Sequence, residues 1–186
     1  MIDLMLAAIL TASASSSVAA CPADGETGSD HLFDVCHPAA QDGPAYSATF
    51  SASLSPQPSH QQVTLFRADG TWTVRAAGYK WTPGGAFETR RNEFSISDDD
   101  ARALVGRLDD ETRERLSNLA YYGAPTVICT DGARTEIAMA SGGQRHSFAQ
   151  HSCAGKTELH EVAEAFRTVV LKYDPLFDGM LDGLTA

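Results

Sequence analysis

The fold is decided by the stretch AYSATFSASLS, residues 45–55, in which apolar side chains alternate with serine and threonine. Alternation with a period of two predicts a β-strand with one apolar and one polar face. The run Ser55-Pro56-Gln57-Pro58 ends it, because proline cannot donate to a strand ladder and restricts the residue before it. This is the clearest strand of the chain, and the ordered domain is expected to begin with it at Ala45.

A β-hairpin is predicted next along the chain. Residues 63–67 and 71–75 are rich in β-forming side chains and are joined by Asp69-Gly70, which supplies the positive φ angles of a two-residue turn. The same signals predict further strands over 87–96, 126–130, 134–140 and 144–150, with turns at 83–85, 131–132 and 141–143.

Two helical regions complete the pattern. Ser97 and Asp100 have capping-box spacing and start a helix, with a kink or break expected over Gly106–Asp109. Thr157 caps a final amphipathic helix, which Asp174-Pro175 ends. The sequence therefore predicts an α+β fold, with an antiparallel sheet of about five or six strands and two main helices packed on it.

The N-terminus has the pattern of an export signal. A short apolar run over residues 2–10 precedes a small polar segment and Val18-Ala19-Ala20, a peptidase site directly before Cys21. The apolar run is too short to span a bilayer. The run Val18-Ala19-Ala20-Cys21 also resembles the lipobox of bacterial lipoproteins. Two hypotheses stay open: a periplasmic or secreted protein, and a membrane-anchored lipoprotein attached through Cys21.

Four cysteines in an oxidising compartment pair most simply as two disulfides. We favour the pairs Cys21–Cys36 and Cys129–Cys153, although the sequence alone does not fix the connectivity. The Cys21–Cys36 bond would cross-link the segment between these two cysteines, which has few apolar residues to stabilise it by packing. Lipidation of Cys21 would leave Cys36 without this partner.

The expected organisation is a signal peptide over 1–20, a cysteine-bearing polar leader over 21–44, a single α+β domain over 45–173 and a C-terminal tail over 174–186. The chain has 24 acidic and 14 basic residues, giving a formal charge of −10. This balance disfavours nucleic acid as a partner, because phosphate binding needs a concentrated basic surface. A membrane is expected as a partner only if Cys21 is lipidated.

The densest group of reactive side chains is His146, Ser147, His151 and Cys153. Neighbouring strand residues point to opposite faces, so His146 is poorly placed to activate Ser147, and no nucleophile-elbow motif is present. A hydrolase or metal-dependent enzyme using His146 and His151 is kept as an alternative. It requires both histidines in one pocket with a carboxylate. No catalytic residue, metal site or cofactor is predicted.

A binding surface is predicted from aromatic and basic residues near one hairpin: Trp72, Arg75, Tyr79, Lys80, Trp81, Arg90 and Arg91. Aromatic and arginine side chains often anchor interfaces, and exposed aromatic faces bind sugars or cations. The alternative is that the aromatic residues form the core of the sheet and that the basic residues lie on its solvent-exposed face. Exposure of Trp72 and Trp81 on one face distinguishes the two. The sequence favours a non-enzymatic recognition or structural module, with a protein or glycan of the cell envelope as its partner.

The order of elements over about residues 45–173 resembles small exported bacterial α+β domains of unknown function. The matching parts are the hairpin at 69–74, the helix at 97–108 and the second hairpin around Asp131-Gly132 and Ile137. This resemblance implies the order hairpin, helix, hairpin, helix, and it implies no activity.

Overall fold

The computed structural model describes residues 15–22, 33–40, 42–52, 60–82, 85–121, 133–152 and 155–177. The strands are β1 (Ser15–Ala20), β2 (Ala45–Ala52), β3 (His60–Ala68), β4 (Thr71–Thr82), β5 (Gly85–Ser95), β6 (Ala133–Ser141) and β7 (Gln144–His151). The α-helices are α1 (Asp98–Val105), α2 (Asp110–Tyr121) and α3 (Glu158–Tyr173). All seven strands form one sheet in the order β1-β7-β6-β2-β3-β4-β5, and every pair in it is antiparallel.

The predicted fold class, with five or six strands and two main helices, is wrong: the structure is mostly one seven-stranded antiparallel sheet with three helices. One cause is β1, which lies within the segment assigned to the signal peptide and pairs with β7. The other is the junction over 106–109, which is a complete break. After a 3₁₀ turn over Gly106–Leu108, Asp109 has extended backbone, and its carboxylate accepts the N–H of Thr112 at 2.8 Å. This cap starts a separate helix.

The two tight turns follow from their residue types. The predicted hairpin at Asp69-Gly70 is confirmed: Ala68 faces Thr71, and the turn residues have φ of 52° and 76°. Gly142 and Gly143 join β6 to β7 with φ of 58° and 75°. Positive φ at both central residues gives a turn whose twist matches that of the flanking strands. The predicted strand over 126–130 lies outside the described residues.

One face of the sheet carries the helices and the main core. Ala48, Val63, Leu65 and Val74 project from β2, β3 and β4 into a cluster with Phe166 of α3. Phe177 is fully buried in the same cluster. The segment predicted as a C-terminal tail therefore contributes to the core through Phe177, the last described residue.

The opposite face is covered by part of the predicted polar leader. Phe33, Val35 and Cys36 are buried against Phe66 of β3 and Ala138 of β6. The ordered core therefore includes chain that precedes Ala45. A disulfide joins Cys21 to Cys36, with a Cα–Cα distance of 5.4 Å. It fixes this covering segment to the end of β1, as the preferred pairing expected. The pair Cys129–Cys153 lies outside the described residues.

Ion pairs at Arg145 of β7 also hold this covering segment. The guanidinium contacts the Asp34 carboxylate at 3.2 Å and the Glu136 carboxylate at 2.8 Å. All three side chains are largely buried. Because charge pairs shielded from water are screened less than surface pairs, this network contributes to the position of residues 33–36.

The first turn of α1 is tied to α3 by a charge cluster, and this gives a prediction on acid stability. Hydrogen bonds from Lys172, Tyr173 and Ser97 lower the pKa of Asp100 to about 2. A carboxyl group whose pKa is lower in the folded state than in the unfolded state stabilises the fold above the unfolded value, and this stabilisation is lost as pH falls from about 4 to about 2. The variant Asp100→Asn should therefore show a smaller fall of Tm between pH 5 and pH 2 than the natural protein.

The matched control is Asp98→Asn, in the same helical turn, which should keep the acid sensitivity of the natural protein. Thermal unfolding followed by circular dichroism at several pH values measures the effect. Equal Tm losses in all three proteins would contradict the assignment of this sensitivity to Asp100.

Candidate functional site

A groove of about 540 Å³ lies between the α1–α2 junction and one end of β2, β6 and β7. Its apolar lining comes from both sides and comprises Pro44, Val105, Leu108, Met139 and Ala140. Its polar lining comprises Tyr46, Asp109, Asp110, Arg113, Ser141 and His146. We refer to it as the junction groove. Its size is within the range of about 300–1,000 Å³ that small-molecule sites occupy.

The sheet places three side chains in a row across the floor of the junction groove. Tyr46 of β2 is opposite Met139 of β6, and Met139 is opposite His146 of β7. Residues directly opposite each other in antiparallel strands project from the same face. This face is the one that carries the helices, because Tyr46 and Met139 pack in the main core.

The helical wall of the groove supplies carboxylates and a guanidinium. The main-chain N–H and then the hydroxyl of Thr112 hold the pKa of Asp109 below its usual range. Asp110 forms an ion pair with Arg113, one turn further along α2. Both carboxylates are therefore already engaged by groups of α2.

Three polar groups of the groove have no hydrogen-bond partner within the described part of the chain. Arg113 Nε is shielded from solvent and unpaired. The Tyr46 hydroxyl and the His146 ring form no hydrogen bond to any residue that the structure describes. Burial raises the pKa of Tyr46, and the nearby Arg113 offsets part of this shift. The phenol is therefore protonated at neutral pH and can both donate and accept a hydrogen bond.

Two aromatic residues of the predicted binding surface, Trp72 and Tyr79, lie in the interior. Trp72 is 8 % exposed and belongs to the main core, with the Arg67 guanidinium 4.8 Å from its ring centroid. Tyr79 is fully buried on the opposite face of the sheet, where its hydroxyl accepts the N–H of Phe33 at 3.5 Å. Trp81 lies in β4, and its side chain is outside what the structure describes. Trp72 and Tyr79 therefore form no common surface.

Three of the predicted basic residues take part in intramolecular contacts. Arg75 bonds to Glu88 at 2.9 Å and lies over the Phe33 ring. Arg90 contacts the buried carboxylate of Asp174 at 3.3 Å. Arg91 is 3.7 Å from Glu88 and is half exposed.

Lys80, the remaining basic residue of the predicted surface, is partly exposed. The structure thus distributes the predicted set over both faces of the sheet and uses several of its members in packing.

The two histidines of the alternative enzyme hypothesis do not converge. His146 lies on the helix-bearing face, whereas His151 is opposite Arg134 on the other face. Ser147 also faces away from His146, and its hydroxyl is 2.8 Å from that of Ser17. Among the described residues, no group of three His, Cys, Asp or Glu side chains could hold a metal ion.

Sequence reasoning missed the junction groove because its floor depends on the pairing of β2 with β6, which are about 90 residues apart in the chain. No local pattern marks Tyr46 and Met139 as neighbours. The one local signal in the sequence is the acidic run Asp109–Glu111, which begins the helical wall. None of the described helices is long and apolar enough to cross a membrane.

No protein-family model and no curated protein sequence matches this chain. One solved structure, of a candidate adenylyl cyclase from Hippeastrum described as having a dominant triphosphatase activity, aligns with 70 % of this chain and 73 % of its own, at 9 % identity and a TM-score of 0.22. A TM-score this low carries no argument about fold or activity. The resemblance to small exported bacterial domains stays a prediction.

Proposed function

We propose that this chain is an exported bacterial envelope protein that acts by recognition, without catalysis, and that its junction groove binds a protein or glycan of the envelope. The observation that carries this proposal is the groove itself, which combines apolar walls with two polar groups, the Tyr46 hydroxyl and the His146 ring, that bond to no residue the structure describes. A few polar groups on an apolar lining are typical of ligand sites.

Export is supported by the N-terminal sequence and by the bond between Cys21 and Cys36. Disulfides persist in oxidising compartments such as the periplasm and are rare in the cytosol. The alternative of a lipoprotein anchored through Cys21 competes with this bond, because one sulfur atom cannot carry both a lipid and a disulfide. We therefore propose a periplasmic or secreted protein.

A recognition role is favoured over hydrolysis because Ser141, the serine that lines the groove with His146, forms no hydrogen bond with that histidine in the described part of the chain. General base catalysis needs the base within hydrogen-bond reach of the proton that it removes, and a third group that orients the base. Ser147 and His151 lie on the other face of β7.

The test is co-sedimentation of the purified, disulfide-bonded protein with isolated bacterial envelope fractions. Ser141 is exposed and lines the groove, so Ser141→Trp should fill the groove and abolish binding without disturbing the core. Ser95→Trp, at an exposed position on β5 away from the groove, is the matched control and should bind normally. Equal binding by both variants would show that the groove is not the recognition site, and no binding by the natural protein would contradict the proposed function.

A further inference from the structure

β1 is the outermost strand on one side of the sheet and is attached mainly through its main chain. Each of its six residues is opposite a residue of β7, from Ser15 opposite Ala149 to Ala20 opposite Gln144. All six side chains are exposed, and none belongs to a core cluster of the described residues. Removal of β1 therefore leaves the packed core of the described chain in place and exposes the outer side of β7.

The strand at the opposite border of the sheet, β5, is protected against pairing with other chains. It carries four charged side chains between residues 88 and 93, and its ladder with β4 shifts register at Gly78/Tyr79. Charged side chains and bulges are common protection for a border strand. Residues 144–149 of β7 include one Asp, Glu, Lys or Arg residue, Arg145, which is held by Asp34 and Glu136. This segment has the composition of an internal strand, suited to pairing on both sides.

One side-chain contact adds selectivity to this pairing. The Oγ atoms of Ser17 and Ser147 lie 2.8 Å apart, and Ser147 is 8 % exposed. A strand in the place of β1 that lacked a hydroxyl here would cover the Ser147 hydroxyl without bonding to it, and an unsatisfied buried polar group costs free energy. Serine or threonine opposite Ser147 is therefore favoured in an incoming strand.

The helix beside β1 restricts what can replace that strand. α2 contacts both β1 and β7. A second copy paired through its own β7 along a two-fold axis would bring its own α2 against the same two strands. Packed helices need about 8–10 Å between their axes, whereas neighbouring strands are about 4.8 Å apart. The two helices would crowd each other, and a single extended segment avoids this.

From these observations we infer that the outer side of β7, over residues 144–149, binds an extended peptide segment of a partner protein as an added antiparallel strand, with serine or threonine opposite Ser147. β1 fills this site in the uncleaved chain, and a chain that begins at Cys21 presents it open. Strand addition draws its affinity from main-chain hydrogen bonds. The inference rests on the export part of the proposed function, which leads to cleavage after Ala20, and it uses the main chain of β7 rather than the junction groove.

The test compares the full chain with a chain that begins at Cys21. The probe is a fluorescein-labelled peptide with the sequence of residues 15–20, followed by fluorescence anisotropy and located by amide chemical shifts at 144–149. We expect saturable binding to the shorter chain and at least about ten-fold weaker binding to the full chain, whose tethered strand competes at a high effective concentration. If circular dichroism shows that the shorter chain is unfolded, the full chain with Ser17→Pro and Val18→Pro, whose β1 cannot complete the ladder, takes its place as the open form.

Changes to the peptide separate main-chain pairing from the serine contact. Ser17→Pro with Val18→Pro should abolish binding, because neighbouring strand residues direct their N–H groups to opposite sides and one of these two faces β7. Ser17→Ala should weaken binding about five-fold, the effect of one neutral hydrogen bond. Ser147→Ala in the open form should have the same effect on the unchanged peptide and little further effect on the Ser17→Ala peptide. Thr71→Ala, at an exposed position on β4, is the control and should leave affinity unchanged.

The inference is overturned if the open form shows no saturable binding, if the full chain binds equally well, or if the proline peptide binds as the unchanged one does. Dimerisation of the open form without peptide binding, measured by analytical ultracentrifugation, would show that a second copy fills the site instead. A mature protein that retains residues 15–20, identified by its intact mass after expression in an exporting host, would also overturn the inference, because the site would stay filled. Envelope binding that is sensitive to Ser141→Trp tests the junction groove separately, and its persistence in any of these cases leaves the proposed recognition role standing.

Discussion

The variant Cys36→Ala is expected to lower the free energy of unfolding by about 3 kcal/mol, the value for closing a loop of this length in the chain-entropy model. The bond to Cys21 spans a sequence separation of 15 residues. Its loss should also free residues 33–36, whose apolar side chains cover one face of the sheet. Urea denaturation of the oxidised protein and of the variant, monitored by circular dichroism, measures the difference.

A double-mutant comparison separates the bond from the packing of either cysteine. Cys21→Ala should be destabilised by a similar amount, and the double variant should be little worse than either single variant, because the bond is lost only once. In dithiothreitol, which would also reduce the predicted pair Cys129–Cys153, the natural protein should approach the stability of the double variant measured under the same conditions. A natural protein whose stability does not change on reduction would show that this disulfide does not form.

The variant Phe166→Ala is expected to cost about 3–5 kcal/mol of folding free energy, the range observed for removal of a buried aromatic ring. Phe166 has no exposed surface and lies on the face of α3 that packs on the sheet. The neighbouring strands are held in place by their ladders and can close the resulting cavity only in part. Thermal and urea unfolding should report the loss without a change in strand content.

Glu161→Ala is the control on the same helix, because Glu161 is exposed. Its effect should stay within about 0.5 kcal/mol, as for other surface substitutions. If Phe166→Ala were as mild as this control, α3 would not pack on the sheet in the manner described.

The parts of the fold that the sequence predicted correctly are determined by residues close together in the chain. The turn at Asp69-Gly70, the cap at Ser97 and the helix that follows Thr157 each depend on a few adjacent side chains. The number of strands depends on pairings between distant segments. A run of serine, valine and alanine over 15–20 has no alternation that would predict β1, and only the presence of β7 beside it makes it a strand.

The predicted binding surface stays a prediction, although the sequence already contained information that limits it. Trp72 and Tyr79 are seven positions apart, and an odd separation within one strand places two side chains on opposite faces. Arg75 likewise faces away from Trp72. The junction groove, by contrast, combines β2, β6, β7 and the start of α2, so its geometry follows only from the assembled sheet.

The position of β1 has a consequence for the predicted cleavage after Ala20. All six of its side chains are exposed, and they are the last six residues of the predicted signal peptide. Cleavage after Ala20 would therefore remove a strand without opening the hydrophobic core. It would leave β7 as a new sheet edge, and a row of unpaired main-chain groups invites strand addition from other chains. Until such a cleavage, β1 shields this edge.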